Sequence, residues 1–126
     1  MVIFAMMKGV YVLLLEVYEP ESIQVGKRLQ FHFENGFYIY IGSALGGLQT
    51  RVARHLRTVK KFHWHIDYLL SLASARKVIC AETSQKMECQ LAEVLSRRLP
   101  SVIGFGCSDC RCRSHLFVCA DLPVLT

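Results

Sequence analysis

The most constraining feature of this sequence is a near-continuous run of apolar, strand-favouring residues over Gly9–Val17. Such a run is typical of a buried strand at the centre of a sheet, and the acidic and proline residues at 19–21 end it with a turn. A membrane or export segment is not expected, because Lys8 interrupts the apolar stretch and Glu16 closes it short of the ~20 residues that a spanning helix needs. We therefore expect a central strand and no membrane partner.

The length of the chain, 126 residues of which 52% are hydrophobic, suits one packed core. We therefore expect a single domain over residues 1–126 rather than a disordered or multidomain chain. The 15 Lys and Arg against 10 Asp and Glu give a net charge of +5, which favours an anionic partner such as nucleic acid but also fits an ordinary basic protein. With no export signal expected, the six cysteines are predicted to be reduced thiols in a cytoplasmic protein.

Local patterns predict a hairpin, three helices and two further short strands. The hairpin is indicated by Asn35-Gly36, the strongest short turn signal, between two apolar runs. After the first strand, further strands are predicted at Ser22–Phe33 in two pieces, Phe37–Gly42, Arg76–Ala81 and His115–Cys119. Of the three predicted helices, one follows segment 43–47 and the others cover Trp64–Ala73 and Gln85–Leu99. Ser101–Ser114 is predicted to be a loop. The expected fold class is therefore α/β (α+β), with a small, mainly antiparallel sheet flanked by three helices.

Two tyrosine triplets lie on strands that this arrangement places near each other. Gly9-Val10-Tyr11 is on the first strand and Tyr40-Ile41-Gly42 on the returning strand of the hairpin, while helical spacing puts Arg51 and His55 on one helix face. Together with Glu88 on the last helix, these residues resemble the signature of the GIY-YIG nuclease superfamily. The resemblance implies two tyrosines on adjacent antiparallel strands, an arginine on the following helix and a metal-binding glutamate on a later helix.

Within that superfamily, the chain is similar to a small subfamily that occurs alone and fused to endonuclease III-type DNA glycosylases. Besides the triplets, the similarity rests on Gly36–Ala44, Arg54-His55-Leu56, Trp64–Leu70, Glu88-Cys89, Gly104-Phe105-Gly106 and the segment from Ser108 to Leu116. It implies a DNA endonuclease of repair or processing, with DNA and a DNA-repair glycosylase as partners. The triplets differ from the usual pattern in being separated by a long segment, Val12–Ile39, where typical members have a short turn.

The five signature residues also suit phosphodiester hydrolysis on chemical grounds. This reaction needs a base for water, positive charge for the phosphate in the transition state, and help for the departing oxygen. Tyr11 or Tyr40 is the candidate base, provided that Arg51, His55 or a cation stabilises its phenolate. His55 is the candidate to receive the proton, and Glu88 is the candidate ligand for Mg²⁺ or Mn²⁺, hard ions that keep most of their water ligands.

Structural interpretations of the same residues remain open at this stage. Most strand tyrosines pack against a helix, Arg51 fits a solvated surface cation, and Glu88 fits a first-turn acid stabilised by the helix dipole. The alternative function is therefore a catalytically weak nucleic-acid-binding module that assists a DNA-repair enzyme. A zinc-stabilised interaction domain is a third possibility.

A basic segment adjoins the proposed site. Four residues in and after the first helix are predicted to contact DNA backbone phosphates: Arg54, Arg57, Lys60 and Lys61. His65 and Asp67, which follow on the second helix, are further candidates for lining the site. Trp64 is the only tryptophan and is predicted to anchor the core or the helix start rather than to stack on a base.

Three cysteines and a histidine fall within the nine residues Cys107–His115. Thiolates and imidazole suit a tetrahedral zinc ion, but zinc sites usually draw pairs of ligands from two elements. The subfamily pattern, moreover, includes Cys110, Cys112 and His115 more clearly than Cys107, which leaves one ligand short. Reduced thiols, or a polar loop beside the active site, are therefore expected in preference to structural zinc. The further candidates for lining the site are Asp109, Cys110, Cys112 and His115.

Overall fold

The computed structural model of the protein describes residues 8–25, 27, 29–44, 47–58, 60–62, 64–106 and 112–119. Within these ranges the chain forms six strands and three helices in an α+β arrangement, as the sequence predicts. In chain order they are β1 (Gly9–Val17), β2 (Glu21–Val25), β3 (Leu29–Phe33), β4 (Gly36–Ala44), α1 (Leu48–Leu56), α2 (His65–Leu70), β5 (Ala73–Glu82), α3 (Glu88–Ser96) and β6 (Leu116–Cys119).

The apolar run at the start of the chain forms a central strand. The four-stranded antiparallel sheet has the order β5-β1-β4-β6, and β1 pairs along its whole length with both neighbours. Consecutive residues Leu13, Leu14 and Leu15 are all essentially inaccessible, so both faces of the strand are covered. Helices α1 and α2 and the β2–β3 hairpin cover one face, and α3 covers the other. This two-sided cover explains why β1 lacks the apolar and polar alternation of a half-exposed strand.

The glycines of both triplets permit close approach of neighbouring groups. Tyr11 pairs with Gly42 across the two strands, and a Cβ atom added at Gly42 would lie 2.3 Å from the Tyr11 hydroxyl oxygen. A Cβ atom at Gly9 would lie 2.2 Å from the carbonyl oxygen of Ala81 and 2.7 Å from Leu48. Glycine at these two positions is therefore required by packing, because a larger side chain would push apart the sheet and the tyrosine ring.

The long segment between the triplets folds into the separate two-stranded sheet of β2 and β3. Phe31 and Phe33 alternate with exposed residues and turn inward, with their ring centroids 5.1 and 5.9 Å from that of Phe105. Phe33 also packs edge-on against Tyr38 of β4 at 5.7 Å. The additional hairpin thus covers the face of the main sheet that carries the triplet tyrosines.

The predicted hairpin at Asn35-Gly36 is wrong. The strands on either side of this dipeptide lie in different sheets, because β3 pairs with β2 whereas β4 pairs with β1 and β6.

The bounds of three elements also differ from the prediction. The predicted helix Trp64–Ala73 ends at Leu70, and Ala73 begins β5, which is ten residues long rather than the six of Arg76–Ala81. The reason is that β1 offers a full-length edge, and Ala73 and Ser74 pair with Val17 and Glu16 at the end of that strand. The third helix starts at Glu88 instead of Gln85.

The helices of the described ranges are short, at most nine residues, and none of them is long and apolar enough to cross a membrane. The segment Cys107–Arg111, which includes Asp109 and Cys110, lies outside the described residues.

Substituting Gly42→Ala should destabilise the protein, because the new methyl group would overlap the Tyr11 ring. We expect the free energy of unfolding to fall by about 2–3 kcal/mol in urea denaturation. Ser43→Ala, the next residue on the same strand, is the control and should cost less than about 1 kcal/mol, since it adds no volume. Equal stability of the wild type and the Gly42→Ala variant would contradict the close approach of Tyr11.

Candidate active site

The centre of the site is a hydrogen bond between the first strand and the first helix. The hydroxyl group of Tyr11 lies 2.6 Å from Nε2 of His55, and both residues are only 2% exposed. Burial raises the pKa of Tyr11 far above its usual value, with the nearby Arg51 charge opposing this effect. Burial lowers the pKa of His55 to about 4. Both groups are therefore neutral at physiological pH, and the tyrosine hydroxyl donates to the imidazole nitrogen.

The opposite side of the His55 ring faces a buried carboxylate. Nδ1 of His55 lies 4.0 Å from Oδ1 of Asp67 and has no hydrogen bond to any described residue. Asp67 is itself fixed, because its oxygens accept hydrogen bonds from Arg54 Nη1 at 2.8 Å, from Arg54 Nη2 at 3.0 Å and from the backbone N–H of Trp64 at 2.9 Å. Its negative charge favours the tautomer with the proton on Nδ1. That tautomer leaves Nε2 as the acceptor for Tyr11.

Arg51 brings positive charge to the tyrosines. Its Nη1 donates to the carbonyl oxygen of Ser43 at 3.0 Å, and its guanidinium group lies 4.4 Å from the ring centroid of Trp64. These two contacts hold the side chain between the end of β4 and the start of α2. From this position its charge lowers the pKa of Tyr11 and of Tyr40, partly offsetting the effect of burial. Arg51 is therefore a charge partner of the tyrosine pair rather than a solvated surface cation.

Tyr40 and Glu88 complete the predicted set. The ring centroid of Tyr40 is 6.4 Å from that of Tyr11, and its pKa is raised mainly by burial and further by the charges of Tyr11 and Glu88. Glu88 is the first residue of α3, with its side chain 15% exposed and its carboxylate 3.7 Å from Lys86 Nζ and 3.9 Å from His115 Nδ1. A partly exposed carboxylate whose charge acts on both tyrosines fits a hard cation that retains most of its water ligands.

The four basic residues predicted to bind phosphate fall into two groups. Arg54 is bound to Asp67, and Lys60 Nζ donates to the carbonyl oxygens of Arg54 at 3.1 Å and of His55 at 2.7 Å, where it caps the end of α1. These two side chains thus stabilise the fold. Arg57 and Lys61 are exposed at the end of the same helix. They are the members of the set whose charges face solvent.

His65 supports the site from one side. Its Nδ1 accepts a hydrogen bond from the backbone N–H of Gly106 at 2.8 Å, and its ring packs 5.6 Å from that of Phe105. Gly106 in turn covers Tyr40, since a Cβ atom added there would lie 3.1 Å from the Tyr40 ring. His65 therefore positions the segment over Tyr40.

One residue of the site was missed by sequence reasoning. Cys89 Sγ lies 3.8 Å from Nε2 of His115, and the sulfur atoms and imidazole of Cys89, Cys112 and His115 all lie within 4.8 Å of one another. The only sequence signal for Cys89 was its place next to Glu88 among the segments that resemble the nuclease subfamily. No disulfide forms among the cysteines in the described ranges, which agrees with the expectation of reduced thiols.

The buried His55 should make stability depend on pH. The unfolded chain protonates this residue near pH 6.5, whereas the folded protein does so only near pH 4, so the folded state loses stability as the pH falls between these values. We expect a loss of about 3 kcal/mol at most in the free energy of unfolding. Urea titrations at several pH values should show a smaller loss for His55→Gln. The control His32→Gln, on the exposed hairpin, should behave as wild type; equal losses in all three proteins would contradict the burial of His55.

Comparison with known proteins gives a family for the chain. Residues 10–125 match a family model described as "Domain of unknown function DUF123". This range contains Tyr11, Tyr40, Arg51, His55 and Glu88. Searches of curated proteins and of solved structures returned no match. Because the match extends over most of the chain, the protein belongs to the DUF123 family.

Proposed function

We propose that the protein is a metal-dependent endonuclease that hydrolyses DNA phosphodiester bonds, with kinship to the GIY-YIG nucleases. The observation that carries the proposal is the 2.6 Å hydrogen bond between Tyr11 and His55, formed next to Arg51. The antiparallel pairing of the strands that bear Tyr11 and Tyr40 supports the same conclusion. A repair or processing role, and a DNA-repair glycosylase as a partner, follow only from the sequence resemblance.

Tyr11 is the proposed base, and His55 enables it to act as one. A phenol with a raised pKa is a poor base until it loses its proton, and Nε2 of His55 is in position to take that proton. The imidazolium that results faces the carboxylate of Asp67, while Arg51 stabilises the phenolate. In this scheme water attacks phosphorus and gives a proton to the Tyr11 oxygen. The bond from phosphorus to the leaving oxygen breaks, solvent protonates that oxygen, and the His55 imidazolium then returns its proton to solvent.

The second requirement of the reaction is to stabilise the negative charge that develops on the phosphate. Arg51 is the nearest guanidinium to the tyrosine pair and would contact the phosphate oxygens as negative charge develops on them. Glu88 would hold Mg²⁺ or Mn²⁺ at the accessible edge of the site, with Tyr40 beside it. Such an ion, when bound, supplies positive charge for the phosphate and the leaving oxygen.

A DNA-binding module without cutting activity is the second candidate. The observation in its favour is the burial of the tyrosines, since Tyr11 is 2% and Tyr40 is 7% exposed. A substrate must reach these hydroxyl groups for hydrolysis, whereas phosphate binding by Arg57 and Lys61 does not require it. Cutting assays with matched variants separate the two functions.

Tyr11→Phe should abolish cutting while preserving the fold, because only one hydroxyl group is removed. We expect the rate of cleavage of branched and nicked DNA in Mg²⁺ to fall by roughly 100-fold or more. Tyr18→Phe, the same substitution at an exposed tyrosine, is the control and should cut at the wild-type rate. If all three proteins cut equally, a contaminant is responsible and the proposal fails. Binding by the wild type with no cutting of any substrate would favour the module.

The exposed basic pair should carry much of the salt-dependent DNA affinity. Removing both charges with Arg57→Gln and Lys61→Gln should reduce the slope of log affinity against log salt concentration by about 2. The matched control, Lys77→Gln with Arg98→Gln, removes the same charge from exposed positions on β5 and after α3. Fluorescence anisotropy at several salt concentrations measures both slopes. An equal decrease in the two double variants would show that net charge alone governs binding.

A further inference from the structure

A cluster of soft ligand atoms lies next to Glu88, and the proposed hydrolysis uses none of these atoms. The sulfur atoms of Cys89 and Cys112 and a ring nitrogen of His115 lie within 4.8 Å of one another, and the Cys89 sulfur is 3.8 Å from His115 Nε2. In a tetrahedral zinc site with bonds of about 2.3 Å to sulfur and 2.0 Å to nitrogen, neighbouring ligand atoms are roughly 3.5–3.8 Å apart. The observed cluster therefore needs only a small contraction to surround an ion.

We propose that Cys89, Cys112 and His115 bind a zinc ion that ties the start of α3 to the segment before β6. Cys89 is the second residue of α3, and the other two residues lie in the segment that leads into β6. The ligands thus come from two parts of the chain, as is usual for zinc. The prediction against zinc assumed ligands from Cys107–His115 alone, and the fold supplies the missing ligand from another element.

The surroundings of His115 prepare it to be a ligand. Its Nδ1 lies 3.9 Å from the carboxylate of Glu88, while its Nε2 faces Cys89. The negative charge of this carboxylate favours the tautomer with the proton on Nδ1, which leaves Nε2 as the nitrogen that can bind a metal. The backbone of the residue is also held on both sides, because its N–H donates to Phe105 at 2.9 Å and its carbonyl accepts from Ile41 at 3.0 Å. The backbone position from which the ring projects is therefore fixed by the sheet and by the segment around Phe105.

The chemistry of the ligands distinguishes this ion from the one proposed at Glu88. Two thiolates and an imidazole suit zinc, whereas magnesium and manganese prefer oxygen. A cavity of about 460 Å³ is lined by both Cys89 and Cys112, so an ion can reach the cluster from solvent. Water from this cavity is the fourth ligand in our proposal. The alternative to zinc binding is a disulfide between Cys89 and Cys112.

The bound ion would restrain the helix that carries Glu88. A metal bound only by the folded state adds its binding free energy to stability. Chelation should therefore lower the thermal midpoint of the protein. Because the ion acts through the fold, this effect is measured without DNA and is independent of whether the protein cuts DNA.

Metal analysis of the full chain purified under reducing conditions tests the proposal. We expect one zinc per chain in the wild type and in the control Cys80→Ser, whose cysteine is exposed on β5. Cys89→Ser and Cys112→Ser should lose the zinc and should show no change in thermal midpoint on chelation. Tyr11→Phe should retain zinc, so a failure of the nuclease proposal leaves this one standing.

Cobalt substitution in the wild-type protein tests the zinc proposal even if a cysteine variant fails to fold. Co²⁺ added to chelated wild-type protein should give the charge-transfer absorption of thiolate ligands, and so should the Cys80→Ser variant. Absence of zinc from the wild type together with absence of this absorption would overturn the proposal. So would retention of zinc by Cys89→Ser, or a disulfide between Cys89 and Cys112 found by mass spectrometry under the same reducing conditions.

Discussion

The register between β1 and β4 determines the position of almost everything in the candidate site. Side chains alternate along β1 between the face covered by α1 and the face covered by α3, so pairing Tyr11 with Gly42 directs the tyrosine ring toward α1. A slip of one residue would place Tyr11 on the opposite face, away from His55. The narrow space over Gly42 opposes such a slip, because that position is where the tyrosine ring fits. The register between β1 and β4 therefore determines both how the core packs and which residues meet in the site.

Burial has opposite effects on the two partners of the central hydrogen bond. It favours the protonated phenol of Tyr11 and the unprotonated imidazole of His55, so the pair is stable as neutral groups. The same low polarity makes nearby charges more effective. The charge of Arg51 acts on Tyr11, and the carboxylate of Asp67 lies 4.0 Å from Nδ1 of His55. A proton moving from Tyr11 to His55 would create a negative charge near Arg51 and a positive charge near Asp67. Arg51 thus favours the phenolate and Asp67 the imidazolium, whereas the charges of Lys60, Arg51 and Arg54 oppose the imidazolium.

Much of this arrangement could be predicted from local sequence signals. The remainder depends on contacts between residues that are far apart in the sequence. The apolar run of β1 and the helical spacing of Arg51 and His55 are short-range patterns, and both appear in the structure. The hairpin predicted at Asn35-Gly36 does not form, because the partner of β4 is the distant strand β1 rather than β3. The early end of α2 depends on the free edge of β1, which no local window contains. The bond between Arg54 and Asp67, and the approach of Cys89 to His115, likewise depend on which elements pack together.

The position of Trp64 has a consequence for how the protein can be observed. It is the only tryptophan of the chain, and the guanidinium groups of Arg51 and Arg54 each lie 4.4 Å from its ring centroid, with the His55 ring at 6.0 Å. Its emission consequently arises from a single location, in contact with residues from both sides of the proposed proton path. The intrinsic fluorescence of the unlabelled protein is thus an optical signal of events at Arg51 and His55.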